Sequence, residues 1–183
     1  MPAPRLTTFD YLRMPETLLP QELVYGLVRD SPGPPPSHQA IVGEIYWKLR
    51  AHLERTRAGK AWVSPIDVVL DRERGLVVQP DLIVVMNDRL HIVTDRVWGA
   101  PDLVIEVLSP HPRIGRLEER IEWFAQYGVR ECWTVLEGVR QIEVISFEGG
   151  RVSQRHLFAA DERIRSSVLP DVGLTAVEII TAS

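Results

Sequence analysis

Two carboxylates stand in stretches that should be buried. Asp81 opens the apolar part of Gln79-Pro80-Asp81-Leu82-Ile83-Val84-Val85, and Glu106 sits inside Pro101-Asp102-Leu103-Val104-Ile105-Glu106-Val107-Leu108. Both runs are rich in the branched apolar residues of strands, so their side chains head for a core. An ionised carboxylate is costly there unless its charge is compensated, and a divalent cation held between two carboxylates compensates it. Metal-assisted chemistry is therefore the first expectation.

Spacing selects the partner. Asp102 lies four residues from Glu106 in the same run, hence on the same face but separated by roughly 13 Å of strand rise. The two cannot share one ion, and Asp102, beside Pro101, reads as a solvated or capping residue. Asp81 begins the preceding strand and is the better partner, because side chains meet across a sheet. Period two puts Glu106 and Leu108 on one side of their strand and Ile105 and Val107 on the other. The helix that follows supplies cations: Arg113, Arg116 and Arg120 align at i, i+3 and i+7, and Arg120 borders the apolar face beside Phe124. Its long stem can run along the sheet and bring the guanidinium toward Glu106. Arginine is no base near neutral pH, but it holds a phosphate or stabilises charge developing on one. The competing account of Glu106 is a buried ion pair with Arg120 and no metal.

The elements that must position these groups follow from periodicity and breakers. Glu22 to Arg29 alternates as a strand, and the proline-rich stretch 31–37 is a loop ending at Ser37, the expected N-cap of an amphipathic helix running to about Thr56. Trp62 to Leu70 and Leu76 to Met86 read as two strands joined by the charged turn 71–75, with residues 87–100 less regular. Leu103 to Leu108 is apolar enough to be a central strand covered on both faces, closed by Ser109-Pro110-His111-Pro112. Ile114 to Tyr127 is an amphipathic helix stopped by Gly128. Strands over Cys132–Leu136 and Gln141–Phe147, a further strand through His156–Phe158 and a short helix over Ala176–Ile180 complete an α/β or α+β arrangement, a mixed sheet flanked by helices.

Composition narrows the class. The 183 residues, 45% hydrophobic and 25% charged, suit a single domain over 1–183 with an ample core. One cysteine excludes an internal disulfide framework, no Cys/His spacing suits zinc, and no apolar stretch reaches the roughly 20 residues that span a bilayer. These features, with no apolar core near Met1, lead us to expect a cytoplasmic protein. A net charge of −4 excludes coating of nucleic acid by a bulk positive field, so contacts with DNA must be local. Ser109 lacks the glycine-flanked elbow of a serine nucleophile.

Val78-Gln79-Pro80-Asp81, Pro101 to Pro110 and Tyr127-Gly128-Val129-Arg130-Glu131-Cys132-Trp133-Thr134-Val135 together resemble the Uma-type family of restriction endonucleases within the PD-(D/E)XK nuclease superfamily. Weaker matches at Glu22-Leu23-Val24-Tyr25-Gly26 and Ser37-His38 extend the resemblance over nearly the whole chain. It implies a restriction-endonuclease-like fold, with Pro80-Asp81 as the first motif and Glu106-Val107-Leu108 as the (D/E)XK motif, 24 residues apart. It also implies Mg²⁺ (or Mn²⁺) at Asp81 and Glu106, with Glu22 as a further ligand and Glu44 a weaker one. Arg120, at the position where the family carries a migrated lysine, is then the third catalytic residue. DNA contacts fall to His38, which could instead meet a metal-bound water, and to Arg113 and Arg116. By analogy with such nucleases, which are often dimers because two sites must reach two DNA strands, a homodimer is expected. The chain departs at Leu108, where the strand lysine is missing, at Arg116, where the helix usually begins with an acid, and at Arg120. The reading is a Mg²⁺-dependent DNA endonuclease; the alternative is a binding or assembly module that kept the fold and lost the chemistry.

Overall fold

Residues 5–15, 20–31, 33–108 and 114–180 are described by the computed structural model. A short helix α1 (Thr8–Leu12) precedes the strands β1 (Gln21–Val24) and β2 (Leu27–Asp30) and the long helix α2 (Pro36–Thr56). Next come β3 (Gly59–Val63), β4 (Val68–Asp71), β5 (Leu76–Val78), β6 (Leu82–Met86), β7 (Val97–Trp98) and β8 (Leu103–Leu108). Helix α3 (Ile114–Tyr127), strands β9 (Glu131–Leu136), β10 (Gln141–Glu148) and β11 (Arg151–Phe158), and helix α4 (Ala176–Ile180) finish the chain. The strands form two sheets, ordered β2-β1-β5-β4-β7 and β11-β10-β9-β8-β6-β3. The expected mixed sheet flanked by helices is thus realised as one large mixed sheet with a smaller one against it.

Alternation along the central strands decides which layer each side chain joins. Leu103, Ile105 and Val107 of β8 pack with Leu82 and Val84 of β6, Trp133 and Val135 of β9, and the apolar face of α2 and α4. On the opposite face Val104, Ile83, Val85 and Cys132 pack with Ile121, Trp123 and Phe124 of α3 and with Val68, Leu76 and Val78 of the small sheet. Glu106 shares the parity of Val104, so it projects into the layer between α3 and the small sheet. β8 lies between β6, antiparallel, and β9, parallel, and its residues 103–107 are buried.

Several expected elements are divided. The run from Glu22 to Arg29 is a hairpin, not one strand: Tyr25 (φ 49°) and Gly26 (φ 85°) form a two-residue turn that returns β2 along β1. Such turns need positive φ at both central positions, and a tyrosine conceals that need. Trp62–Leu70 splits into β3 and β4, and Leu76–Met86 into β5 and β6, each half in a different sheet. Ser64-Pro65 and Gln79-Pro80 mark the two divisions, where proline lacks the N–H a continuous ladder requires. Helix α2 is capped at Pro35 with Pro36 in its first turn, not at Ser37, and no side chain caps it. Proline fits there because the first helical N–H has no partner in any case.

Candidate active site

The chain crosses between the two sheets at residues 64–67 and again at 79–81, and the crossings are tied together where the Ser64 N–H donates to the Asp81 carbonyl (2.9 Å). Asp81 therefore sits at a junction of sheets, not along a ladder. Its Oδ2 accepts from the Val107 N–H (2.8 Å) and lies 3.2 Å from His38 Nε2. The Val107 contact bonds Asp81 to the residue beside Glu106, and His38 arrives from the first turn of α2.

Glu106 and Glu22 approach each other from the two sheets and are bridged by Arg120 of α3. Nε and Nη2 of Arg120 donate to Glu106 Oε1 (3.0 and 2.6 Å), and Nη1 donates to both oxygens of Glu22 (2.7 Å each). Glu22 Oε1 also accepts the Gln79 N–H (2.7 Å). Stacking beside Phe124, 5.7 Å from its ring centroid, holds the guanidinium along the sheet. The sequence pattern had predicted this approach of Arg120 to Glu106.

Electrostatics follow from burial. Removal from water pushes the Glu106 carboxyl above the ordinary carboxylate range; Arg120 opposes the rise, and the charges of Asp81 and Glu22 add to it. Burial alone would weaken the Arg120 charge, yet Glu106 and Glu22 hold it firmly protonated. Burial also favours neutral His38, but its hydrogen bond to Asp81 and the charges of Asp81 and Glu106 outweigh that and raise its pKa. Among the described residues His38 Nδ1 is buried without a hydrogen-bond partner.

These groups line one cleft of about 930 Å³, together with Tyr11, Gln79, Asp67, Arg96 and Arg116. Glu22, His38, Asp81, Glu106 and Arg120 thus converge, and Arg116 reaches the same cleft as an exposed side chain. Arg113 lies outside the described residues, as does the stop Ser109-Pro110-His111-Pro112. Glu44 pairs with Lys48 on α2 (3.2 Å) and does not line the cleft. Asp102, expected to be solvated or capping, is instead fully buried: Oδ2 accepts the Met86 N–H (2.8 Å), and Oδ1 faces Arg89 (3.1 Å) and Arg130 (3.4 Å). Proline before it suggested a frayed strand end, but the chain there runs beneath two arginines.

Sequence reasoning missed a polar set that lines the same cleft. Gln79 Nε2 donates to Asp67 Oδ1 (2.9 Å), whose Oδ2 is 3.3 Å from Arg96 Nε. Nothing local marks these residues, which come from three separate segments; only the Gln79-Pro80-Asp81 motif pointed near them.

Among the described residues no three His, Cys, Asp or Glu side chains are grouped to hold an ion between them. The donor set that remains is two carboxylates, Asp81 and Glu106, Glu22 being paired with Arg120. Mg²⁺ is commonly held by one or two carboxylates with waters completing its shell, so these hard oxygen donors fit such an ion.

A family model, Uma2, described as "Putative restriction endonuclease", matches residues 9–177. Five solved chains match in structure. One, described as a putative nuclease belonging to DUF820 from Anabaena variabilis ATCC 29413, shares a TM-score of 0.82 at 19% identity, over 97% of this chain and 98% of that one. That likeness is one of fold. None of the curated proteins matches the chain.

Proposed function

From the premise that this chain belongs to the Uma2 family, we propose that it is a divalent-metal-dependent endonuclease that hydrolyses phosphodiester bonds in DNA. The observation that carries the reading is the convergence of Asp81, Glu106 and Arg120 in one cleft, two hard anions beside one permanent cation. Asp81 and Glu106 would hold Mg²⁺ or Mn²⁺. When bound, such an ion supplies Lewis acidity toward a phosphate oxygen and makes water a better nucleophile.

The chain's own groups do the rest. The Val107 N–H and His38 fix the Asp81 carboxylate, limiting the rotamers it must give up on ion binding. Arg120, always protonated, stabilises charge on the phosphate but cannot take a proton, so deprotonation of water is left to other groups. Arg116, exposed at the cleft, and Arg113 are suited to the flanking phosphates, and His38 to the nucleotide nearest Asp81. Two copies of the chain would address two strands.

The second reading, a binding module without chemistry, is favoured by one feature: Arg120 is engaged by both Glu22 and Glu106 and cannot give up a proton as a lysine can. Incubation of the purified protein with supercoiled plasmid and Mg²⁺ or Mn²⁺ separates the two. Nicking or linearisation that chelator stops and that Asp81→Asn abolishes supports the enzyme; DNA binding with no cleavage in either metal overturns it. Size-exclusion chromatography with light scattering tests the pairing of copies.

A further inference from the structure

We propose that Arg120 is an exchangeable internal counter-ion, with Glu22 as its fixed anchor and Glu106 as its exchangeable partner, so that divalent cation and substrate phosphate bind the cleft cooperatively. This rests on the nuclease reading above. It makes Glu22 a positioning residue acting through Arg120, in place of a direct ligand.

The edge of Arg120 that Glu106 occupies is the basis of such an exchange. A guanidinium has five N–H donors in a fixed plane. Nε–H and Nη2 of Arg120 meet Glu106, and Nη1 meets both oxygens of Glu22. The Nε/Nη2 edge is thereby taken up by Glu106. Arg120 therefore cannot offer that edge to a phosphate while it keeps Glu106, and bidentate contact is what makes arginine an effective phosphate ligand.

The two carboxylates are not equivalent partners. Glu22 is held by the Gln79 N–H (2.7 Å) within β1, which is paired on both sides by β2 and β5. Glu106 neighbours Asp81, which is bonded to Val107, the next residue in β8. With Asp81 and Glu106 holding a cation, Arg120 would lose its hold on Glu106 by like-charge repulsion. Arg120 then keeps its Nη1 contact with Glu22 and presents its Nε/Nη2 edge to the incoming phosphate. Without Glu22 it would leave the site instead of turning within it. Each ligand thus relieves a cost of the other, and the coupling must be reciprocal.

Isothermal titration of full-length protein with Mn²⁺ tests this, with and without a DNA duplex carrying non-cleavable phosphorothioate linkages, each variant being checked by thermal melting. In the natural protein the duplex is expected to tighten Mn²⁺ by about tenfold, and Mn²⁺ to tighten the duplex equally. Arg120→Met should bind Mn²⁺ about tenfold more tightly than the natural protein in the absence of DNA, because the internal competitor is gone, and should show no coupling. Glu22→Gln should still bind Mn²⁺ but lose the coupling. If Arg120→Met binds Mn²⁺ no better, or the natural protein binds both ligands independently, the exchange is wrong while the metal site stands. Should Arg120→Met fail to fold, the coupling in the natural protein decides alone. If the natural protein binds no Mn²⁺, or Asp81→Asn binds it unchanged, the nuclease reading falls and the exchange with it.

Discussion

Glu106 and Asp102 belong to one stretch of chain, four residues apart, and both carboxylates are buried; their surroundings differ in kind. Asp102 is sealed, 0% exposed, with a backbone N–H on one oxygen and two arginines on the other, and its own carbonyl accepts the N–H groups of Arg130 and Glu131. Glu106 opens on a cleft, shares a single guanidinium with Glu22 and has a second carboxylate, Asp81, for a neighbour. A structural carboxylate is surrounded by donors until its charge is balanced. The one in the cleft is left with anions in excess, which costs stability and makes room for a ligand cation. Glu131 repeats the sealed pattern at the start of β9: Trp133, Ser166 and Ser167 give it four hydrogen bonds, fastening the segment before α4 to the large sheet.

The contrast is broken or sharpened by substitution. The largest effect should be on cleavage: Asp81→Asn and Glu106→Gln are each expected to slow plasmid cleavage at least ~1000-fold, about 4 kcal/mol, in timed assays with saturating Mn²⁺. Asp102→Ala should act on folding instead, costing about 3 kcal/mol in urea denaturation because Met86 N–H and two arginines lose their acceptor. A mild effect there would erase the distinction between the two carboxylates. Glu131→Gln should cost roughly 1–2 kcal/mol by the same measurement, since the amide keeps an acceptor but loses its charge. Glu106→Gln is expected to leave stability unchanged or raise it by up to about 1 kcal/mol, since Arg120 retains Glu22 and one excess anion is gone. A loss of several kcal/mol would make Glu106 a structural residue like Asp102.

The smallest effect concerns His52 on α2, away from both carboxylates. Burial, and then Arg55, lowers its pKa below 6.5, so the unfolded chain takes up the proton first. The folded state therefore binds fewer protons, and His52 lowers stability as pH falls through 6.5 toward its depressed folded pKa. The stability difference between the natural protein and His52→Gln should change over that window and stay constant above it.

Much of the scaffold was legible. The apolar density of Leu103–Leu108 announced a strand covered on both faces, and parity alone put Glu106 and Val104 on the face opposite Ile105 and Val107. The helical wheel of α3 brought Arg120 to Glu106 because the i, i+4, i+7 apolar positions fix which way the helix turns. Local pattern failed where the chain changes sheets. Trp62–Leu70 and Leu76–Met86 look continuous because apolar residues lie on both sides of each proline, and the hairpin at Tyr25-Gly26 hid behind an unbroken alternation. The same blindness misplaced Asp102, whose burial is imposed by Arg89 and Arg130 from other segments.

By itself, then, the sequence determined most of the elements, the faces they bury and the identity of the family, since each depends on neighbours within a few turns or on short motifs. Tertiary structure alone decided that Glu22 meets Arg120 across two sheets, that Gln79, Asp67 and Arg96 line the same cleft, and that Asp102 is sealed while Glu106 is not. The reason is physical: a carboxylate's cost depends on the donors and charges within a few ångströms of it, and here those come from residues as far apart as Glu22 and Arg120.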